Sequence, residues 1–114
     1  MDANKEQASR AASIPELDRL IHEPARLAIM VHLAVVKSAD FVFLQRYTGM
    51  TQGNLSSHMT KLEEAGYVEV VKEFVDRKPH TMLRLTKEGR KAFEQYRKAL
   101  ASVLDQNQES NRKG

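Results

Sequence analysis

Gln52, Asn54, Ser56, Ser57, Thr60 and Lys61 follow one another closely, and on a helix they occupy the arc left free by Leu55, Met59 and Leu62. No carboxylate interrupts residues 52–61. Gln and Asn can pair bidentately with adenine, Ser and Thr hold phosphates or meet either base, and Lys61 suits a phosphate. An ordinary solvated helix face would carry Glu-Lys pairs instead. Gly53 lowers helix propensity but permits close backbone approach, Thr51 caps the segment, and His58 either packs beneath the helix or touches a phosphate. A second cluster follows in Asp76-Arg77-Lys78-Pro79-His80-Thr81, a basic, turn-forming stretch. An Arg projecting from such a turn can enter a narrow minor groove. Arg77, oriented by Asp76, has that chemistry, with Lys78, His80 and Thr81 against the flanking backbone.

Other chemistries lack their residues. There is no cysteine, so thiol catalysis, disulfides and thiolate metal sites are excluded. His22, His32, His58 and His80 are scattered without a close pair or clustered carboxylates, and no metal or cofactor is expected. His32 reads as a core or near-core residue. No Gly-rich phosphate loop and no Ser/His/Asp arrangement appears, so the chain does not read as an enzyme. The 114 residues suit one domain, and 41% hydrophobic with 29% charged residues is ordinary globular composition. The net charge of +3 permits a polyanionic partner. No apolar run approaches the roughly 20 residues of a membrane span, and the chain's start lacks a signal peptide's apolar stretch, so a cytoplasmic protein without membrane contact is expected.

The positioning elements follow from periodicity. Residues 1–12 read as a flexible tail, residues 13–106 as the domain and residues 107–114 as a polar, fraying tail. Ser13-Ile14-Pro15-Glu16 forms a capping box before a short helix carrying Leu17, Leu20 and Ile21. Pro24 opens a second helix with Ala25, Ile29, His32, Leu33 and Val36 at helical spacing. Asp40 caps a third, with Phe41, Leu44 and Phe43 pointing inward, and Gly49 stops it. The polar-faced helix runs to about Ala65 and ends at Gly66. Period two then places Val68, Val70 and Phe74 on one face, and Leu83 and Leu85 inward on a second strand, joined through residues 75–81. Thr86 caps a last helix with Phe93, Tyr96, Leu100, Val103 and Leu104 every three or four positions. A helix this long outruns so small a domain, and those residues are expected at a homodimer interface.

The chain resembles ArsR-like regulators in His22-Glu23-Pro24-Ala25-Arg26-Leu27-Ala28-Ile29 and across residues 54–68, their recognition helix and its exit into the wing. Asp76-Arg77 followed by Leu85-Thr86-Lys87-Glu88-Gly89-Arg90 resembles the wing of MarR-like regulators. The likeness covers roughly residues 17–100. It implies an α+β, mostly α fold: a winged helix-turn-helix with a two-stranded β-hairpin wing and a C-terminal dimerisation helix. It further implies a homodimeric transcriptional regulator of double-stranded DNA. ArsR-like metal sensors commonly use a helical cysteine pair, which this chain lacks. The resemblance allows a small-molecule effector between subunits or between the first helices and the DNA-binding part. The rival reading is a winged helix serving protein interaction, which an apolar or acidic outward face would favour. The face here is polar and mildly basic.

Overall fold

In the computed structural model, which describes residues 17–113 and side chains through Gln106, Asp18 organises the first segment. The N-terminal tail and the capping box at Ser13 and Glu16 lie outside the described residues. Asp18 Oδ1 accepts the N–H of Leu20 at 2.9 Å and of Ile21 at 3.3 Å, and the His22 N–H donates to the Asp18 carbonyl at 2.7 Å. Residues 17–23 are therefore turns where periodicity predicts a helix, because the Asp side chain offers these donors a local alternative to helical bonding. Leu17 and Ile21 are nevertheless buried.

Helix α1 is Pro24–Val35, with Glu23 accepting the Arg26 N–H at 2.9 Å and Pro24 in the first turn. Strand β1 is Ala39–Asp40 and α2 is Phe41–Thr48, capped by Asp40 Oδ1 and ended by Gly49 at φ 72°. Helix α3 is Gln52–Glu64, with Thr51 Oγ1 accepting the Asn54 N–H at 3.1 Å. Strands β2, Val68–Val75, and β3, Lys78–Leu85, precede α4, Lys87–Lys113. The described residues thus form a mostly helical α+β fold, in which the antiparallel sheet has the order β1-β3-β2. The third strand, β1, pairs Ala39 with Leu83 and Asp40 with Met82; at two residues it has no period to read.

Val68 opposite Leu85 and Val70 opposite Leu83 form the sheet's inner face. That face joins Ile29, Met30, Leu33, Leu44, Leu55 and Leu62 in one core. Each such side chain contributes about 1.5–3 kcal/mol on burial. Alternation names a face but not how far the core reaches: Phe74 shares the inner face yet is 78% exposed, because the wing extends past the helices. Phe43 also departs from expectation. Leu44 fills the core from α2, whereas Phe43 is half exposed and stacks beside Tyr47 and His32 on the surface. Helix α4 continues through Lys113, past residue 106 where fraying is expected; Gln, Glu, Lys and Arg there are adequate helix formers.

The wing turn is tighter than the stretch 75–81. Val75 pairs with Lys78, leaving Asp76 and Arg77 as a two-residue turn with φ of 52° and 66°. Both are left-handed, the backbone of a hairpin turn that favours Asn-Gly, so Arg77 occupies a strained position. At the wing's other end Gly89 is buried, and a Cβ there would lie 2.0 Å from the Tyr67 carbonyl oxygen.

Two outcomes follow for stability. Gly89→Ala should destabilise the protein by about 2–3 kcal/mol in thermal or denaturant unfolding, since backbone must move to admit the methyl group. Arg77→Gly should stabilise it by roughly 0.5–1 kcal/mol, the relief of left-handed strain exceeding the added entropy of the unfolded chain.

Candidate nucleic-acid interface

Leu55 and Leu62, both fully buried, hold α3 by one stripe, with Met59 partly buried beside them. The opposite face presents exposed Gln52, Asn54, Ser57, Thr60 and Lys61 and half-buried Ser56. Gly53, Ser56, Ser57, Thr60, Lys61 and Glu64 line a shallow depression on it. Thr51 is exposed at the N-cap, its oxygen already accepting from the helix backbone. The face thus carries amide and hydroxyl groups near the helix N-terminus, where the macrodipole also favours an anion.

His58 lies elsewhere. Its Nδ1 accepts from Arg26 Nη1 at 3.1 Å and lies 3.7 Å from Glu23 Oε2, so it braces α3 against the start of α1. Arg26 also donates through Nε to the Leu20 carbonyl at 2.6 Å. Burial raises the Glu23 pKa, but the backbone N–H groups of Arg26 and Ala25 and nearby positive charge hold it below the ordinary carboxylate range. The bracket joins residues 20, 23 and 26 to His58, 32 residues beyond Arg26, and no local spacing links His58 to the other three.

On the wing, Arg77 and Lys78 are exposed at the tip, whereas Thr81 and His80 are half buried further down β3. Thr81 lies opposite Lys72, and His80 Nδ1 donates to Asp40 Oδ2. That bond does most to lower the Asp40 pKa, against the opposing effect of burial. Arg46 is exposed on α2 and lines a second depression with Val42, Gln45, Gly49 and Met50 at the turn into α3. Arg46 belongs to neither polar cluster of the sequence, so no local pattern marks it.

The wing's base is tied to the domain through Tyr67. Its hydroxyl donates to Asp18 Oδ2 at 2.7 Å, and this bond, with burial and the charges of Asp18 and Glu88, pushes its pKa up to about 12. Among the residues expected at a dimer interface, Tyr96 is 4% exposed within its own chain, 2.6 Å from His22 Nδ1 through its hydroxyl. Phe93 and Leu100 pack partly against the same core, Val103 is half buried and Leu104 is 55% exposed. Among the described residues no group of His, Asp and Glu could hold a metal ion, and no helix is long and apolar enough to cross a membrane.

Residues 25–104, from α1 well into α4, match the winged helix DNA-binding domain family. An uncharacterized protein of Methanocaldococcus jannaschii is 32% identical over 78 residues, 68% of this chain and 85% of that relative. A transcriptional regulator homologue from Pyrococcus horikoshii OT3 superposes with a TM-score of 0.73 at 33% identity, covering 77% of this chain and 87% of that one. A putative MarR-family regulator from Enterococcus faecalis V583 shares the fold, with a TM-score of 0.63 at 23% identity over 94% of this chain and 89% of its own. Both solved structures are of proteins described as transcriptional regulators, one as a homologue and one as putative. On the strength of the match from α1 into α4, the chain belongs to the winged helix DNA-binding domain family.

Proposed function

We propose that this protein is a cytoplasmic, sequence-specific transcriptional regulator that binds double-stranded DNA as a homodimer. In this reading α3 enters the major groove and the wing follows the minor groove. The observation that carries it is the α3 face: Gln52, Asn54, Ser57, Thr60 and Lys61 are exposed together, with no carboxylate before Glu63 and Glu64 at the helix's C-terminal end, on a helix anchored by buried Leu55 and Leu62. A major groove roughly 12 Å wide admits such a helix, and these side chains have the reach to meet base edges and phosphates. Arg77 supports the reading, since strain kept at an exposed turn is more economically explained by a ligand than by folding.

One recognition helix reads few base pairs, so two-fold symmetry would join two half-sites about 10 base pairs apart. Leu104, exposed in the C-terminal half of the long α4, with half-buried Val103 before it, supports pairing through this helix, while Tyr96 closes its own domain. Leu104→Asp therefore tests assembly more cleanly than a substitution at Leu100, which packs on the core. It should shift sedimentation from dimer to monomer with helix content kept; a wild-type monomer at high concentration would contradict the dimer.

Binding selection from random duplexes, followed by titration, tests the reading. Asn54→Ala or Gln52→Ala should weaken the selected site by roughly 1–3 kcal/mol and relax preference at one base pair, with little change in non-specific binding. Lys61→Ala should weaken all sequences alike and reduce the salt slope by about 1. Arg77→Gly should weaken binding, most at A·T-rich flanks, while raising thermal stability. A protein-docking winged helix would instead show no salt-reversible retention on DNA.

A further inference from the structure

The Asp40–His80 bond lies where the wing leaves the body of the domain. Strand β1 pairs with β3 only at Leu83 and Met82, so nearer the tip than Met82 β3 has β2 as its sole strand neighbour. His80 is the next residue on the outer face of β3, and its Nδ1 donates back to Asp40 Oδ2. Beyond it, residues 74–79 are all exposed. The other oxygen of Asp40 accepts the N–H of Val42 at 2.7 Å and of Phe43 at 3.4 Å, capping α2. One carboxylate thus joins the wing to the first turn of the helix that leads into α3.

The charges around this pair are unbalanced. Glu73 lies directly opposite His80 on β2, and Glu69 opposite Arg84. Arg84 spreads between the two, with Nε 3.4 Å from Glu69 and Nη2 3.8 Å from Glu73, and Nε has no well-aligned hydrogen bond. Three carboxylates, Asp40, Glu69 and Glu73, therefore face one guanidinium and one imidazole. Lys78 on the same face and Arg46 on α2 are exposed to solvent. From α1, Arg26 is held by Leu20 and His58, and His32 stacks on Phe43 and Tyr47; from α4, Arg90 donates to the Ala34 carbonyl. The bond from His80 holds the Asp40 carboxyl below its ordinary range, so its contribution is present above that range and lost only in acid, as pH falls through the lowered value. Around neutrality Asp40 stays charged, and the imidazole is the partner whose class changes charge there.

We propose that Asp40 and His80 form a protonation-sensitive tie that holds the wing against the helix-turn-helix, so that DNA binding strengthens as the pH falls through neutrality. Protonation turns a hydrogen bond from a neutral imidazole to the Asp40 carboxylate into an ion pair with charge on both partners, and offsets the local excess of carboxylates. Above neutrality the tie weakens and the wing is held chiefly by its own hairpin. This proposal rests on the DNA-binding reading, and its test has an arm that does not.

The experiment measures affinity for the selected duplex from about pH 6 to pH 8 at constant salt, for the wild type, Asp40→Asn, His80→Gln and His80→Arg. Asn keeps the cap on α2 without the charge, and Arg keeps a permanent cation. His22, His32 and His58 are present in every variant, so differences between variants isolate positions 40 and 80. The wild type should lose roughly two- to fivefold in affinity over this range. Asp40→Asn and His80→Gln should be weak and nearly flat, and His80→Arg tight and nearly flat. If Asp40→Asn keeps the wild-type pH dependence, the imidazole acts on DNA directly and the tie is overturned. A flat wild-type profile, or a wild-type slope retained in His80→Gln, overturns it equally. Melting without DNA supplies the independent arm: the wild type should lose stability relative to His80→Arg as pH rises through the same range. If the wild type binds no DNA at any pH, the DNA-binding reading fails, and the melting comparison alone decides whether the tie exists.

Discussion

The backbone at Tyr67 is the point through which the recognition helix, the wing and the long helix are related. Its N–H donates to the Leu62 carbonyl at 3.0 Å, closing the end of α3, and its carbonyl accepts the Thr86 N–H at 3.1 Å at the base of the wing. Gly89, in the first turn of α4, sits against that carbonyl with no room for a side chain. Thr86 adds a hydroxyl bond to the Gly66 carbonyl and accepts the Gly89 N–H, so three elements share one small polar junction. Such contacts fix the junction because backbone groups withdrawn from solvent must find partners, and Gly89 approaches the Tyr67 carbonyl too closely to admit a side chain.

Around this junction the domain separates holding from presenting. Apolar side chains do the holding, and among the described residues no polar or charged side chain is fully buried. The core is small, so each element contributes only a few anchors, as α3 does with Leu55 and Leu62. That economy leaves most of the α3 surface free to be polar. The same division explains the wing, whose base is buried at Val68, Leu83 and Leu85 while its tip holds residues that the core does not need.

The polar brackets have a different character. Glu23, Arg26 and His58 join the start of α1 to α3, and Asp40 and His80 join the start of α2 to the wing. Each uses a carboxylate that also caps a helix, so the geometry of the helix start and the tertiary contact are set by one side chain. Because the groups are partly exposed, their value for stability is modest, and orientation is the property they govern most directly.

The sequence alone determined the features that depend on near neighbours. The caps at Asp40, Thr51 and Thr86, the left-handed glycines at 49 and 66, and the two faces of α3 all arise from residues within about one or two helical turns, where side-chain type and spacing dictate the conformation. The family architecture was legible for the same reason, since the order of such elements leaves few ways to pack them. Tertiary structure alone decided that His58 turns to Arg26, 32 residues away, that Tyr67 meets Asp18 across 49 and that His80 meets Asp40 across 40. It also decided that Tyr96 closes its own core, that Phe43 and Phe74 lie outside it, and that a two-residue strand joins the sheet. Periodicity reports which side of an element is apolar. It carries no measure of where the core ends or which distant partner arrives, because both depend on how the assembled elements fill space.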